Sequence, residues 1–140
     1  MKKIFSYSTL LLFVAVLATA MYSCKKEPGE GGAASIKGSV KIQNYNQVTH
    51  ATIGSPYYAG REDIYIIYGD GTTYHDKIET SFDGSFEFRF LRVGKYKVYM
   101  YSDIVPKPAS GADEEAVIFE VEITDKKGSY EIPVTTLKKY

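Results

Sequence analysis

The sequence predicts an all-β domain, a sandwich or barrel of about seven strands, that follows a cleaved signal peptide. Three observations carry this. From Ser35 onward, apolar and polar residues alternate with period two in one segment after another, the mark of half-buried strands. Turn signals, mostly glycine beside aspartate, recur at roughly the eight-to-twelve-residue spacing of such folds. No stretch after the leader repeats apolar residues at helical spacing. The 140 residues include a single cysteine, so packing and strand pairing alone must hold the domain together.

That cysteine, Cys24, closes the leader. Lys2 and Lys3 form a basic start, Leu10 to Ala20 an apolar run, and Met21-Tyr22-Ser23 the approach to a cut. The run is too short for a helix that must cross about 30 Å of hydrocarbon. The order resembles a bacterial lipoprotein signal, in which the cysteine becomes the acylated first residue. Ser23 fits the usual box. Met21 and Tyr22 stand where a leucine and a small residue are usual, and this looser box resembles the Bacteroidota variant. The resemblance implies cleavage after residue 23, a lipid on Cys24 and a lipid-anchored place in the cell envelope. Lys25, in place of the aspartate that favours inner-membrane retention, points to the outer membrane. Periplasmic and surface orientations both stay open. Several acyl chains on one residue would hold firmly, since each buried methylene contributes about 0.8 kcal/mol.

Residues 24–34 read as the lipidated cysteine and a flexible tether, since Lys25 to Ala34 offers almost nothing to bury. Residues 35–140 read as one domain. Ile36, Gly38, Val40 and Ile42 share one face of the first strand. The stretch from Asn44 to Gly60 is long; Gln47 to Ile53 is read as an extra short strand and Ser55 to Gly60 as a loop. Ile64, Ile66 and Tyr68 alternate with Tyr65 and Ile67. Gly69-Asp70-Gly71 turns the chain into a polar strand, Thr72 to Thr80. After Asp83-Gly84, Phe86, Phe88 and Phe90 alternate with Ser85, Glu87 and Arg89. After Gly94, Tyr96, Val98 and Met100 alternate with Lys97, Tyr99 and Tyr101. Val117, Phe119, Val121 and Ile123 follow, then a turn at Asp125 to Gly128, then Tyr130, Ile132 and Val134. Pro133 cannot donate to a ladder, which puts the last strand at an edge or a bulge.

The stretch Thr80-Ser81-Phe82-Asp83-Gly84-Ser85-Phe86-Glu87-Phe88, continuing through Leu91, Gly94, Tyr96 and Val98, resembles the signature of carboxypeptidase regulatory-like domains. Ser35 to Val40 resembles that family's opening strand. The resemblance implies a seven-stranded transthyretin-like (prealbumin-like) Greek-key sandwich. It marks a scaffold and implies no catalysis. The collagen-adhesin B-type repeats of Gram-positive pili have a similar plan, often with a Lys–Asn isopeptide bond. Met100 stands where those repeats place a glutamate, and the last strand has no Asn, so no such bond is expected.

Candidate chemistry is sparse. Lysine plus arginine and aspartate plus glutamate each number 17. That balance lacks the basic excess of a nucleic-acid binder. His50 and His75 are the only histidines, and Asp76 falls on the opposite strand face from His75. Asp70, Asp83 and Asp125 each sit by a glycine in a turn. No zinc motif, nucleophile elbow or phosphate loop occurs. Neither an enzyme nor a cofactor is therefore expected. Aromatics are the suggestive feature, with 13 tyrosines. Tyr99 and Tyr101 fall on the outward parity, and Tyr57 and Tyr58 lie in the long Asn44–Gly60 stretch. Exposed tyrosine can anchor another envelope protein or stack on a glycan; it is also simply a good strand residue. The expected function is an accessory, protein-interaction lipoprotein, with carbohydrate binding as the alternative and membrane lipid, through Cys24, as the first partner. In native cells fed alkyne-palmitate, the chain should take up label and Cys24→Ala should take up none. Equal labelling of both would remove the anchor.

Overall fold

The computed structural model describes residues 27–140. Among the described residues nine strands form two sheets, with no helix. They are β1 (Glu30–Tyr45), β2 (Thr52–Tyr58), β3 (Asp63–Tyr68), β4 (Asp76–Glu79), β5 (Ser85–Leu91), β6 (Gly94–Asp103), β7 (Glu114–Ile123), β8 (Ser129–Glu131) and β9 (Thr135–Lys139). The all-β sandwich-like arrangement is as the alternation predicts.

The first sheet is built on β1, a strand about 50 Å long at the usual rise. One of its edges carries β5 along the first half and β2 along the second, both antiparallel. The other edge carries β8 and then β9, both parallel. The second sheet runs β4-β3-β6-β7, antiparallel throughout. The inward residues of the two sheets meet in one core. Ile36, Val40, Phe86, Phe88, Ile132 and Leu137 come from the first sheet or its connections; Ile64, Ile66, Tyr96, Val98, Met100 and Ile123 come from the second. Full burial of side chains this size stabilises by about 1.5–3 kcal/mol each. Gly38 lies on this face because the Phe86 ring from β5 occupies the space a side chain would need.

Nine strands stand where about seven are predicted. The last predicted strand is interrupted at Ile132–Val134, around Pro133, and so divides into β8 and β9. It lies at a sheet edge, where a residue without an N–H does least harm. The other addition is β2. The stretch 46–51 is a turn, not a strand: Asn46 Oδ1 accepts from the N–H groups of Val48 and Thr49, both at 2.9 Å. The added strand is Thr52–Tyr58, which takes in Ser55 to Tyr58 of the stretch read as a loop.

Three further expectations are corrected. The polar strand shrinks to Asp76–Glu79, because 70–75 are spent in the turn. Phe90 does not point inward: its φ of 59° and the irregular register of β5 against β1 turn it out, 68% exposed, and bury Leu91 instead. Val134 is likewise exposed, and Leu137 fills the core.

The expected tether is the largest correction. Its distal half is structured, for β1 begins at Glu30 and Ala34 is buried. Gly32 lies where β1 runs so close to the Leu91 carbonyl that a Cβ would overlap it. Pro28 and Gly29 are held just before it. The buried Tyr96 hydroxyl accepts from Gly29 N–H at 2.9 Å and donates to the Arg92 carbonyl at 2.8 Å. Arg92 N–H donates in turn to the Gly29 carbonyl at 2.9 Å. Pro28 lies against Gly94, where φ is 146° and a Cβ would fall 2.6 Å from the proline ring. This end of the sandwich, with the 69–71 and 125–128 turns, is the proximal end. The opposite, distal end carries the 46–51 turn, the 104–113 loop and Tyr140. There Ser102 Oγ and Asp103 Oδ2 accept from the backbone N–H groups of Lys138 and Tyr140, at 3.0 and 2.8 Å, and tie β9 to β6.

Tyr96→Phe keeps the ring and removes the bridge, leaving Gly29 N–H without its acceptor. It should lower the unfolding free energy by about 1–3 kcal/mol, read as a lower urea midpoint at unchanged slope. Gly94→Ala should cost more, because it adds a strained φ to a clash with Pro28.

Candidate functional site

The register of the second sheet decides what its outer face presents. Tyr65 of β3 pairs with Tyr99 of β6, and Tyr99 pairs with Ile118 of β7. Residues directly opposite on neighbouring strands share a face. The rings of Tyr65 and Tyr99 therefore stack, with centroids 5.0 Å apart and planes within 13°. Tyr101, two residues on along β6, sits edge-on to both, at 5.6 Å from Tyr99 and 5.8 Å from Tyr65. Tyr74, from the turn before β4, closes edge-on to Tyr65 at 5.2 Å. Aromatic pairs in these geometries add about 0.5–1.5 kcal/mol each beyond their buried area. Tyr74, Tyr101 and Ile118 are 55%, 40% and 56% exposed, so the cluster is open to solvent.

One rim of the cluster is polar. Tyr65 O–H donates to Asp63 Oδ2 at 3.3 Å, and Lys77 Nζ reaches the same oxygen at 3.0 Å. That hydrogen bond from Asp63 is the main reason the Lys77 ammonium titrates above its ordinary value. Burial, helped by the charge on Asp63, raises the Tyr65 phenol; burial, helped by Tyr101, raises Tyr99. Tyr65 and Tyr99 are thus held as neutral phenols beside a closely held ion pair.

The sequence singled out Tyr57, Tyr58, Tyr99 and Tyr101. The structure brings together only Tyr99 and Tyr101. Tyr57 and Tyr58 lie on β2, in the other sheet, about half exposed. As neighbours on a strand they point to opposite faces. Lys41 Nζ caps the Tyr58 ring 4.6 Å from its centroid. The residues missed are Tyr65 and Tyr74. Tyr65 carried a signal, its outward parity beside Ile64 and Ile66; Tyr74 carried none. Cys24 lies outside the described residues.

The histidines sit far apart in the fold. His75 Nδ1 accepts from Tyr68 N–H at 3.1 Å, and its ring stacks on Tyr68. His50 Nδ1 lies 3.0 Å from the Tyr140 hydroxyl at the distal end. Asp83 Oδ1 accepts from both the N–H and hydroxyl of Ser85, at 3.0 and 2.6 Å, which lowers its pKa. Asp125 accepts from Lys127 N–H at 3.0 Å. These are turn contacts. Among the described residues no three histidine, cysteine, aspartate or glutamate side chains gather to hold a metal, and no helix is long and apolar enough to cross a membrane. No family model matches the chain, and no curated protein matches it in sequence.

Burial pushes the Tyr68 phenol up to about 12, with Glu30 and Asp76 adding to the effect. Tyr65, Tyr96 and Tyr99 are also raised. Tyr130 goes the other way, because Thr124 and Asp125 hydrogen-bond its oxygen. With four groups raised against one lowered, the unfolded chain releases phenol protons first. Stability should hold from neutral pH up to 10 and fall as pH rises from 10 toward 12. Unfolding free energies across that range, beside absorbance at 295 nm, check the sign; a rise would contradict it.

Proposed function

We propose that this chain is a lipid-anchored, non-enzymatic envelope protein whose β-sandwich serves as an accessory module binding another envelope protein. The observation that carries the reading is the cluster of Tyr65, Tyr74, Tyr99 and Tyr101 on the open face of the second sheet. Exposed aromatic groups of this kind are the usual anchors of protein interfaces. Their mutual packing fixes them before a partner arrives, which lowers the ordering cost of association. The anchor itself rests on the leader and Cys24, with the outer membrane as the favoured location.

We assign the domain to the carboxypeptidase regulatory-like, transthyretin-like Greek-key plan. Support comes from the strand count. If β8 and β9 are one strand broken at Pro133, and β2 is an insertion, seven principal strands remain. The signature residues have scaffold tasks: Asp83 holds a turn, Phe86 and Phe88 fill the core, and Tyr96 bridges Gly29 to Arg92.

Carbohydrate binding is the second reading, and it would use the same tyrosines. The stacking of Tyr65 on Tyr99 weakens it, since ring faces turned to each other are less free for a sugar.

Affinity purification of the tagged, lipidated chain from its native membranes should recover a stoichiometric partner. Tyr74→Ala and Tyr101→Ala, whose rings are about half exposed, should each lower that recovery about tenfold, a typical interface-anchor effect. Tyr57→Ala should not. Full recovery with both face variants would move the interface elsewhere. Retention on a polysaccharide gel, lost in the same variants and with no protein partner, would favour the glycan reading.

A further inference from the structure

At the proximal end lies a hollow of about 1090 Å³ whose lining includes Gly31, Arg92, Gly94, Glu122, Lys126 and Lys127. Its most unusual group is Arg92. The Nε of this guanidinium is buried and has no hydrogen-bond partner among the described residues. Buried polar groups are nearly always partnered, and Arg92, part-exposed as a residue, lines the hollow with the rest of its guanidinium likewise unbonded among those residues. Gly31, with φ of 95°, passes close to the guanidinium: a Cβ there would lie 2.9 Å from Arg92 Nη2.

The hollow carries three cations against one carboxylate, Glu122. Among the described residues, Arg92, Lys126 and Lys127 enter no ion pair; the pairs present involve Lys77, Arg89, Lys107, Lys138 and Lys139. Glu122 lines the hollow without pairing to any of the three. Asp125, the other nearby carboxylate, is turned back on its own turn, accepting from Lys127 N–H. A planar fork with two exposed ammonium groups beside it suits an oxyanion. The fork gives directed hydrogen bonds, and the lysines give charge without fixed geometry.

We propose that this hollow binds a phosphate-class oxyanion, held by Arg92 with Lys126 and Lys127. Two sources share that chemistry: a free phosphate or phosphate ester, and an anionic phospholipid headgroup. Gly94 of the hollow packs against Pro28, which is four positions after Cys24, a chain span of at most about 14 Å. On the anchoring reading, which this one clause borrows, that puts it at headgroup depth. The oxyanion site itself depends neither on the anchor nor on the tyrosine face.

The test uses the full chain in a neutral detergent. Inorganic phosphate should raise its unfolding temperature saturably, where sodium chloride at equal ionic strength does not, and should broaden the ³¹P resonance. R92Q should weaken the apparent affinity at least tenfold, and Lys107→Gln, at the distal end, should leave it unchanged. Since the Arg92 side chain carries no ion pair, R92Q should fold; the double change K126Q/K127Q, on an exposed turn, gives an independent second test with the same expected loss. Dihexanoyl-phosphatidylglycerol acting at a tenfold lower concentration than phosphate would assign a headgroup. Phosphate acting as well or better would assign a free phosphate. Response to neither ligand, a response shared with chloride, or a saturable one untouched in both hollow variants would overturn the site.

Discussion

The first sheet depends on one strand. β5, β2, β8 and β9 all pair with β1, two on each edge. Remove β1 and half of the sandwich has no ladder. The parallel pairs with β8 and β9 bring together segments from opposite ends of the domain, such as Ser35 with Ser129. Closing so long a loop costs conformational entropy before any contact rewards it. With one cysteine in the sequence, no intrachain disulfide offsets that cost. The compensation must come from the core that β1 completes, where Ile36 and Val40 are fully buried between the sheets.

The start of β1 shows why this constraint was hard to see from sequence. Gly31-Gly32-Ala33-Ala34 has no alternation to read, and by composition it is a linker. It is a strand because Leu91 pairs with it and because the Tyr96 hydroxyl fastens Gly29 just upstream. Both partners lie some sixty residues away. The same kind of distant information fixed Phe90, whose outward turn follows from the irregular β1–β5 register. Where the pattern was local it was legible. Ile64 and Ile66, Phe86 and Phe88, and Tyr96, Val98 and Met100 all sit in the core on the predicted parity. The β2 arm was not legible in that way: it carries Gly54 and Pro56, exposes all its residues and buries no face that could leave a period.

The tyrosine face divides along the same line. That Tyr99 and Tyr101 point outward follows from parity alone. That Tyr65 stacks on Tyr99 follows from register, which no single strand's sequence contains. Tyr57 and Tyr58 looked equivalent by exposure but belong to the other sheet. An aromatic surface is thus a property of strand pairing, and its members cannot be chosen strand by strand.

The clamp at Gly29 ties these observations to function. A flexible tether would let the domain tumble, and any face could meet any partner. Here the chain leaves the sandwich at a fixed point, pinned by Tyr96 and by Pro28 against Gly94. On the anchoring reading, only the few residues between Cys24 and Pro28 separate lipid from fold. The hollow at Arg92 then faces the membrane side, and β6 runs away from it from Gly94 to Asp103. Tyr99 and Tyr101 lie in the later half of that strand, roughly 15–25 Å from its start at the usual rise. A partner reaching them would stand beside the domain rather than beneath it. On that reading Tyr96 serves two ends at once: its ring completes the core, and its hydroxyl helps set the direction in which the tyrosine face looks.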